Sequence, residues 1–466
     1  MRTTSLRGWK AIVGLCVVSC GLVFATSASL AAPAQGKAVR LAIMTDCKGG
    51  FGFAYELDIG GAQAAFAQYA GGKVKNKAKP SAGMTGINAG GTAVNIVGYG
   101  CGDDTAATAL KETRRLMEQL KADVMVGPLS GDEAVAIANY AKAHPKQTYI
   151  IGTAGSQDPT MQIAPKNMFR YFGDGAQWNA GIGEIAYKKL GWRTAAIIMD
   201  DYSFGWTSAA GMIADFCAIG GKITKRVFPP LNNADYASFI RQLPRPDQVD
   251  GYFWAIGGNT PGSLTAFEQA YGKPDPKQFI GNLFFAFLGN DKVVAPKFVG
   301  AYVGGSGTAP GVKAKQMIQY RAIMKKNYPK LPADDLFVAN YFSGAKALVE
   351  GLEKSNGAVG AALQRAMPRA IKGPFEVSDN GTLRLDSRRQ AIQDQYQLQL
   401  FKNADGSVSP QAVAYVPNVD QSFGGLFKPS SPPPGRSQPA CKKLKTPWQG
   451  QLKVVKNGVI TKQILK

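Results

Sequence analysis

Few residues in this chain of 466 have the types and spacing that catalysis requires. The only histidine, His144, sits in Ala-His-Pro at an expected helix end, so neither a Ser/His/Asp triad nor an HExxH metal site can be assembled. Paired carboxylates occur as Asp103-Asp104 and Asp200-Asp201. Adjacent acids ahead of a helix more often favour its positive N-terminus than work as acid and base. The Gly49-Gly50-x-Gly52 turn is not a P-loop. Binding chemistry is better represented. Gly127-Pro-Leu-Ser-Gly-Asp-Glu133 reads as a helix start. There Ser130 and Glu133 can form a capping box, and Ser130 Oγ with the free N–H groups at Gly131 can equally cradle a carboxylate. The next loop, Gly152-Thr-Ala-Gly-Ser-Gln157, adds small residues, hydroxyls and backbone groups at the same rim. Two such loops side by side make an anion-binding floor.

These loops must be positioned by alternating strands and helices. Apolar runs at 39–45, 93–97, 123–127 and 148–152 read as strands, and 56–70, 105–121 and 131–143 as helices. A second series follows, with strands at 194–199, 222–228, 250–256 and 277–281. Helices are expected at 178–190, 206–219, 235–243 and 262–272, and two more within 312–352. Such alternation implies parallel βαβ units covered on both faces, with ligands at the carboxyl ends of strands. The expected class is therefore α/β, with two Rossmann-like, doubly wound lobes. A β-rich segment closes the body at 373–377, 381–385 and 395–401.

The formal charge of +22 sits mostly at the periphery. Arg2, Arg7 and Lys10 belong to residues 1–32, whose basic start, apolar 11–25 run and small residues have the order of a secretory signal peptide, with cleavage near Ala32 to Ala34. In a rival reading Val17-Val18-Ser19-Cys20 is a lipobox and Cys20 a lipid anchor. Residues 428–466 hold nine Lys/Arg and no acid, and Lys73, Lys75, Lys77 and Lys79 form another cluster. The rest of the body is mildly basic. The Pro-rich run from Lys428 reads as a linker, and the last residues as a peripheral, solvated tail. Trp448 alone is no base-stacking array, so nucleic-acid binding is not expected. Cys47, Cys101, Cys217 and Cys441 remain after signal removal and allow two disulfides in three connectivities. Their spacing offers no metal site, and no cofactor is expected.

The runs GPLSGDEAVAIA (127–138), YIIGTAGSQDP (149–159) and FRYFGDGAQWNAGIGEIAYKKLGWRTAAIIMDDYSFGW (169–206), with VRLAIMTDCKGGFGFAYELDIGGAQAAF (39–66) and GPFEVSDNG (373–381), resemble the periplasmic solute-binding proteins of branched-chain amino acid ABC importers. The resemblance spans about 38–405. It implies a type I periplasmic binding protein, with two lobes joined by three crossover segments and closing on a small solute. Residues 38–171 with 304–390 would form the first lobe, and 174–303 with 391–405 the second. Residues 406–466 would be a Pro-rich linker and basic C-terminal extension. A hinge is expected near Phe172–Gly175.

Carried over residue by residue, the backbone carbonyl that the family's 152–156 loop offers the ligand ammonium, with that loop's hydroxyl and N–H, falls on Ala154 and Ser156. Its carboxylate serine falls on Gly131, one place after Ser130. Its cleft tyrosine falls on Phe204, two residues from Tyr202. The aromatic after strand one is matched by Phe51, Phe53 or Tyr55. Two departures stand out. Leu283 occupies the place of the acid that holds the ligand ammonium, and Gly257-Gly-Asn259-Thr replaces an aromatic. A buried ammonium without a counter-charge is costly, which turns the expectation towards a carboxylate as well as an amino acid or amide. The run 283–288 can line the pocket or form core. Cys47 and Cys101 follow what should be neighbouring strands, so a Cys47–Cys101 disulfide and a Cys217–Cys441 pair are expected. The resemblance implies a monomeric, non-enzymatic receptor in the periplasm, serving an inner-membrane ABC permease. The alternatives are a sensor of the same fold and an exported hydrolase.

Overall fold

A computed structural model describes residues 37–231, 233–305, 308–370 and 383–465. The expected signal peptide, Cys20 and the 373–381 stretch lie outside the described residues. The apolar runs read from the sequence become two sheets within one compact unit. The first has six strands in the order Ile87–Ala89, Thr92–Gly102, Val39–Asp46, Val124–Val126, Thr148–Ile150 and Met168–Phe169. All its pairings are parallel except the outermost, between Ile87–Ala89 and Thr92–Gly102. Leu41, Ile43, Val124, Val126 and Ile150 are fully buried, as expected for strands covered on both faces. Helices Tyr55–Tyr69 and Leu336–Lys354 pack together over this sheet.

The second sheet has ten strands. Lys222–Val227, Thr194–Met199, Gly251–Ala255, Phe279–Gly281 and Tyr302–Val303 run parallel, followed by antiparallel Ala391–Lys402, Val408–Val419, Lys453–Lys456 and Val459–Ile464, with Arg384–Leu385 beside Ala391–Lys402. Several expected helices are shorter or irregular. The 178–190 stretch has a short turn at Gln177–Asn179 and then a continuous helical run in which Ile182–Glu184 widens into Ile185–Lys189, and 235–243 keeps only Ala237–Ile240. Two segments running between the sheets lie side by side: Arg170 N donates to Arg389 O, and Ala391 N donates to Arg170 O, both at 3.0 Å.

The C-terminal segment is not the peripheral tail its composition suggested. Val408–Val419 pairs along its length with Ala391–Lys402. Its prolines, Pro410 and Pro417, hid the strand. They are tolerated because Lys453–Lys456 pairs only with Ala414 and Tyr415, so neither proline is asked for a ladder bond to that strand. Phe423, Phe427, Trp448, Leu452 and Leu465 join the second lobe's core with Ile182, Ile185 and Phe216. Both expected disulfides form, Cys47–Cys101 and Cys217–Cys441.

Candidate functional site

The loops at the carboxyl ends of the two sheets meet at one place, where two helix starts face each other. Helix Gly131–Ala143 begins in the first lobe and Ser203–Ala218 in the second. A Cβ at Gly131 would lie 2.6 Å from Ser203 Oγ and 2.9 Å from Phe204 N, so only glycine permits this approach. Asp132 Oδ1 accepts from Ser203 N across the junction (3.1 Å). Two positive helix ends therefore converge on the space between the lobes.

That space is a small cavity of about 20 Å³. Its polar wall is Ser130, Gly131, Thr153 and Gly155, and its apolar wall includes Phe51, Trp178, Tyr202, Phe204, Leu283 and Phe284. Among the described residues no carboxylate or cation lines it. Ser203 Oγ and Trp178 Nε1 are buried without a hydrogen-bond partner. Ser130 and Thr153 are also buried; their hydroxyls lie beside Asp104 and Asp58 without a hydrogen bond of normal geometry.

Five sequence-predicted residues line the cavity: Ser130, Gly131, Tyr202, Phe204 and Leu283. Three do not. Ser156 Oγ donates to Gly131 O (3.0 Å) and its carbonyl accepts from the buried Arg170 Nη2 (2.6 Å), so its hydroxyl ties the two loops together. Ala154 is buried behind the wall. Asn259 caps helix Thr260–Tyr271 by accepting from Gly262 N (3.0 Å), and lines a neighbouring cavity of about 260 Å³. Of the three aromatics offered after strand one, Phe51 enters the cavity, while Phe53 is 59% exposed and Tyr55 lies on the helix.

The anticipated capping box is not made. Ser130 occupies the N-cap position without a side-chain hydrogen bond. Glu133 instead accepts from Asp103 N (3.2 Å) and faces Asp46 and Asp104 in a buried cluster behind the helix start. Burial raises all three carboxyls, and their mutual charges add to the rise for Asp46 and Glu133; bonds to Gly50 N and Asp103 N partly offset it for Asp104 and Glu133. Asp200, beside Tyr202, is pushed up to about 7 by burial, although Gly257 N donates to it at 2.6 Å. Among the described residues no group of three or more His, Cys, Asp or Glu is placed to hold a metal ion. His144 stacks on Tyr140 (3.8 Å, 16°) at the far end of helix Gly131–Ala143.

Sequence reasoning missed the aromatic packing between the lobes. Phe284 and Phe287, on the tight helical segment Leu283–Asn290, reach across from the second lobe. Phe284 stacks on Phe51 (5.6 Å, 13°) and Phe287 on Phe337 (5.9 Å, 10°). Phe204 lies edge-on to Phe284 (5.5 Å, 85°) and 5.7 Å from Trp178. The signal was present in LFFAFL, but a core segment and a pocket wall have the same composition.

The chain was compared with known proteins. No curated protein matches it. Solved structures share its fold. A solute-binding protein of an ABC transporter from Rhodopseudomonas palustris BisB5, in complex with 3,4-dihydroxybenzoic acid, superposes with a TM-score of 0.67 at 18% identity, over 82% of this chain and 98% of that one. Another from R. palustris, in complex with benzoate, gives 0.64 at 18%, over 81% and 96%. A leucine-binding protein from Thermotoga maritima gives 0.63 at 16%, over 80% and 98%. The periplasmic binding protein family profile matches residues 38–406. With two doubly wound lobes and a site between the carboxyl ends of their strands, the chain belongs to the periplasmic binding protein family and has its type I fold.

Proposed function

We propose that this chain is the periplasmic solute-capturing component of an ABC importer, exported by the leader at 1–32, and that its solute is a small ring-bearing carboxylate. One observation carries the reading. Two helix starts and the polar rim of Ser130, Gly131, Thr153 and Gly155 meet at a cavity whose remaining wall is apolar and mostly aromatic and, among the described residues, holds no acid. Helix N–H groups and hydroxyls stabilise a carboxylate, and the rings of Phe51, Trp178 and Phe204 supply apolar faces for a planar body. An ammonium would find no counter-charge in that wall, since Leu283 stands where amino-acid binders of the family are expected to carry an acid. The aromatic acids in two solved relatives fit the same description.

Lobe closure would dry the site, so that each hydrogen bond to the solute acts at low dielectric. The paired segments at Arg170 and Arg389 are where the hinge is proposed. No chemistry on the solute is proposed: His144 is committed to Tyr140, and no nucleophile–base pair faces the cavity. The domain limits given above, the monomeric state and the permease partner belong to this same proposal.

A branched-chain amino acid is the second reading. Asp132 at the lobe junction is the observation that favours it, because its second oxygen could meet an ammonium. Calorimetry and thermal melts of the mature chain separate the two. Benzoate, 4-hydroxybenzoate and 3,4-dihydroxybenzoate should raise the melting temperature, with about 2.7 kcal/mol of stabilisation at a hundredfold excess over Kd. A shift with leucine, isoleucine or valine alone would replace the carboxylate reading with the amino-acid one.

A further inference from the structure

The family match ends at residue 406, and relatives spanned almost end to end leave the C-terminal segment of this chain unaccounted for. We propose that this segment docks the protein onto an anionic lipid bilayer through a lysine face.

The segment is rigidly placed. Cys441 is bonded to Cys217. Trp448 Nε1 donates to Asp215 Oδ1 (2.7 Å), Arg226 Nη2 to Pro439 O (2.7 Å), and Gly450 N to the Glu184 carboxylate (3.0 Å). These contacts hold the run Lys442-Lys-Leu-Lys445 on the outside of the second lobe, with all four side chains exposed and Leu444 44% so. Lys443 and Lys445 line a groove of about 600 Å³ with Lys188. Exposed Lys189 is next in the chain, and Lys222 follows Gly221, whose carbonyl lies 3.4 Å from Cys441 Sγ. The acids in this neighbourhood are already engaged: Glu184 is buried and pairs with Lys188 and Gly450 N, and Asp215 is buried under Trp448. Residues 428–466 contain no acid of their own.

The chemistry of the face selects the partner. Its exposed charges are lysines, compact ammonium groups on long flexible stems, without the planar forks that recognise one phosphate or carboxylate in fixed geometry. Such a surface matches a diffuse layer of negative headgroups, where each lysine adds attraction within a Debye length. Leu444, flanked by Lys443 and Lys445, can settle among the headgroups while its neighbours stay at the charged surface. A receptor held near the bilayer needs only a short search to reach a permease. The inference does not depend on which solute occupies the cleft.

Vesicle flotation tests it, using the chain without residues 1–32 and vesicles of phosphatidylcholine alone or mixed equally with phosphatidylglycerol. The protein should float with the mixed vesicles at low salt and be released at high salt. The triple variant Lys442→Glu, Lys443→Glu, Lys445→Glu should bind them at least about a hundredfold less. A control of the same net charge, Lys73→Glu, Lys75→Glu, Lys79→Glu, should float like the parent. Unchanged solute affinity in both variants shows that they are folded. Equal loss in the two triple variants would assign binding to net charge and overturn the proposal. So would flotation with phosphatidylcholine alone, or no flotation with either vesicle. Retention of the parent on an acidic protein but on neither vesicle would give the face to a protein partner instead.

Discussion

The ring of Phe284, from the second lobe, lies nearly parallel to the ring of Phe51, from the first, with centroids 5.6 Å apart. Its other side lies over Gly257, where a Cβ would come within 2.3 Å of the ring, and a cavity of about 260 Å³ adjoins it. Phe284 thus covers the face of Phe51 on which a planar solute would stack, beside a cavity of only about 20 Å³. A ring-bearing solute has to displace it. Phe284→Ala should therefore bind 4-hydroxybenzoate about tenfold more tightly, by removing that competition, whereas Phe51→Ala should bind it more weakly by a similar factor through loss of a stacking partner worth about 1 kcal/mol or more. Titration calorimetry of both variants checks this; weaker binding by Phe284→Ala would make Phe284 a wall of the site and not its competitor.

The hydroxyls at the lobe junction divide into two that are buried without a hydrogen bond of normal geometry, Ser130 and Ser203, and one, Ser156, that is used for structure. Ser130→Ala and Ser203→Ala should each weaken carboxylate binding by about 1.5–3 kcal/mol, the usual worth of a hydrogen bond to a charged group, with little change in melting temperature. Ser156→Ala should do the reverse. It loses the bond to Gly131 O, which costs about 1 kcal/mol of stability, and leaves no direct contact with the solute to lose. Affinity and melting temperature measured on the three variants distinguish the roles.

Asp200 predicts a pH dependence of stability. Its carboxyl is pushed up to about 7 in the fold by burial, against about 3.9 in an unfolded chain. Between those values the unfolded state releases its proton while the folded state keeps it. The stability contributed by this group is thus complete at acid pH and falls as pH rises towards 7, by about 1.4 kcal/mol per unit. Asp200→Asn keeps an acceptor for Gly257 N and removes the titration. Urea unfolding of parent and variant across this range should show the variant's stability declining less steeply.

Trp448 should anchor the C-terminal segment. Its side chain is 1% exposed, meets Phe423 edge-on (4.8 Å, 84°) and donates to Asp215. Trp448→Ala should cost about 3–5 kcal/mol, and Trp448→Phe, which keeps most of the packing but leaves Asp215 without its indole donor, about 1–3 kcal/mol. Chemical denaturation measures both. A loss below 0.5 kcal/mol in Trp448→Ala, about the size of an ordinary surface change, would return the segment to the periphery.

Much of the architecture is legible in the residues themselves. Buried parallel strands need unbroken apolar runs, so TAAIIM and DVMVG announce their positions, and the turns that follow them carry the small and hydroxylated residues of the site. Helix Gly131–Ala143 falls at the limits its pattern predicts. The resemblance also placed Cys47 beside Cys101, because neighbouring strands bring them together, which left Cys217 and Cys441 as the remaining pair.

What composition could not decide was which partner each group would find. Ser130 and Glu133 have the spacing of a capping box, yet Glu133 turns to Asp46 and Asp104, which come from other loops. Ser156 has the type of a ligand contact and spends its hydroxyl on Gly131. The aromatic contact of Phe284 with Phe51, the junction of Gly131 with Ser203, and the burial of Trp448 against Asp215 all join residues separated by 72 positions or more. Periodicity and propensity are local, reporting the face a residue turns towards a core. Contacts between distant segments arise from the way two lobes and a C-terminal strand close on one another, so the alternation of strands and helices and the rim of the site were readable in the sequence, while the full strand order, the contents of the cleft and the role of the last forty residues were decided only by tertiary structure.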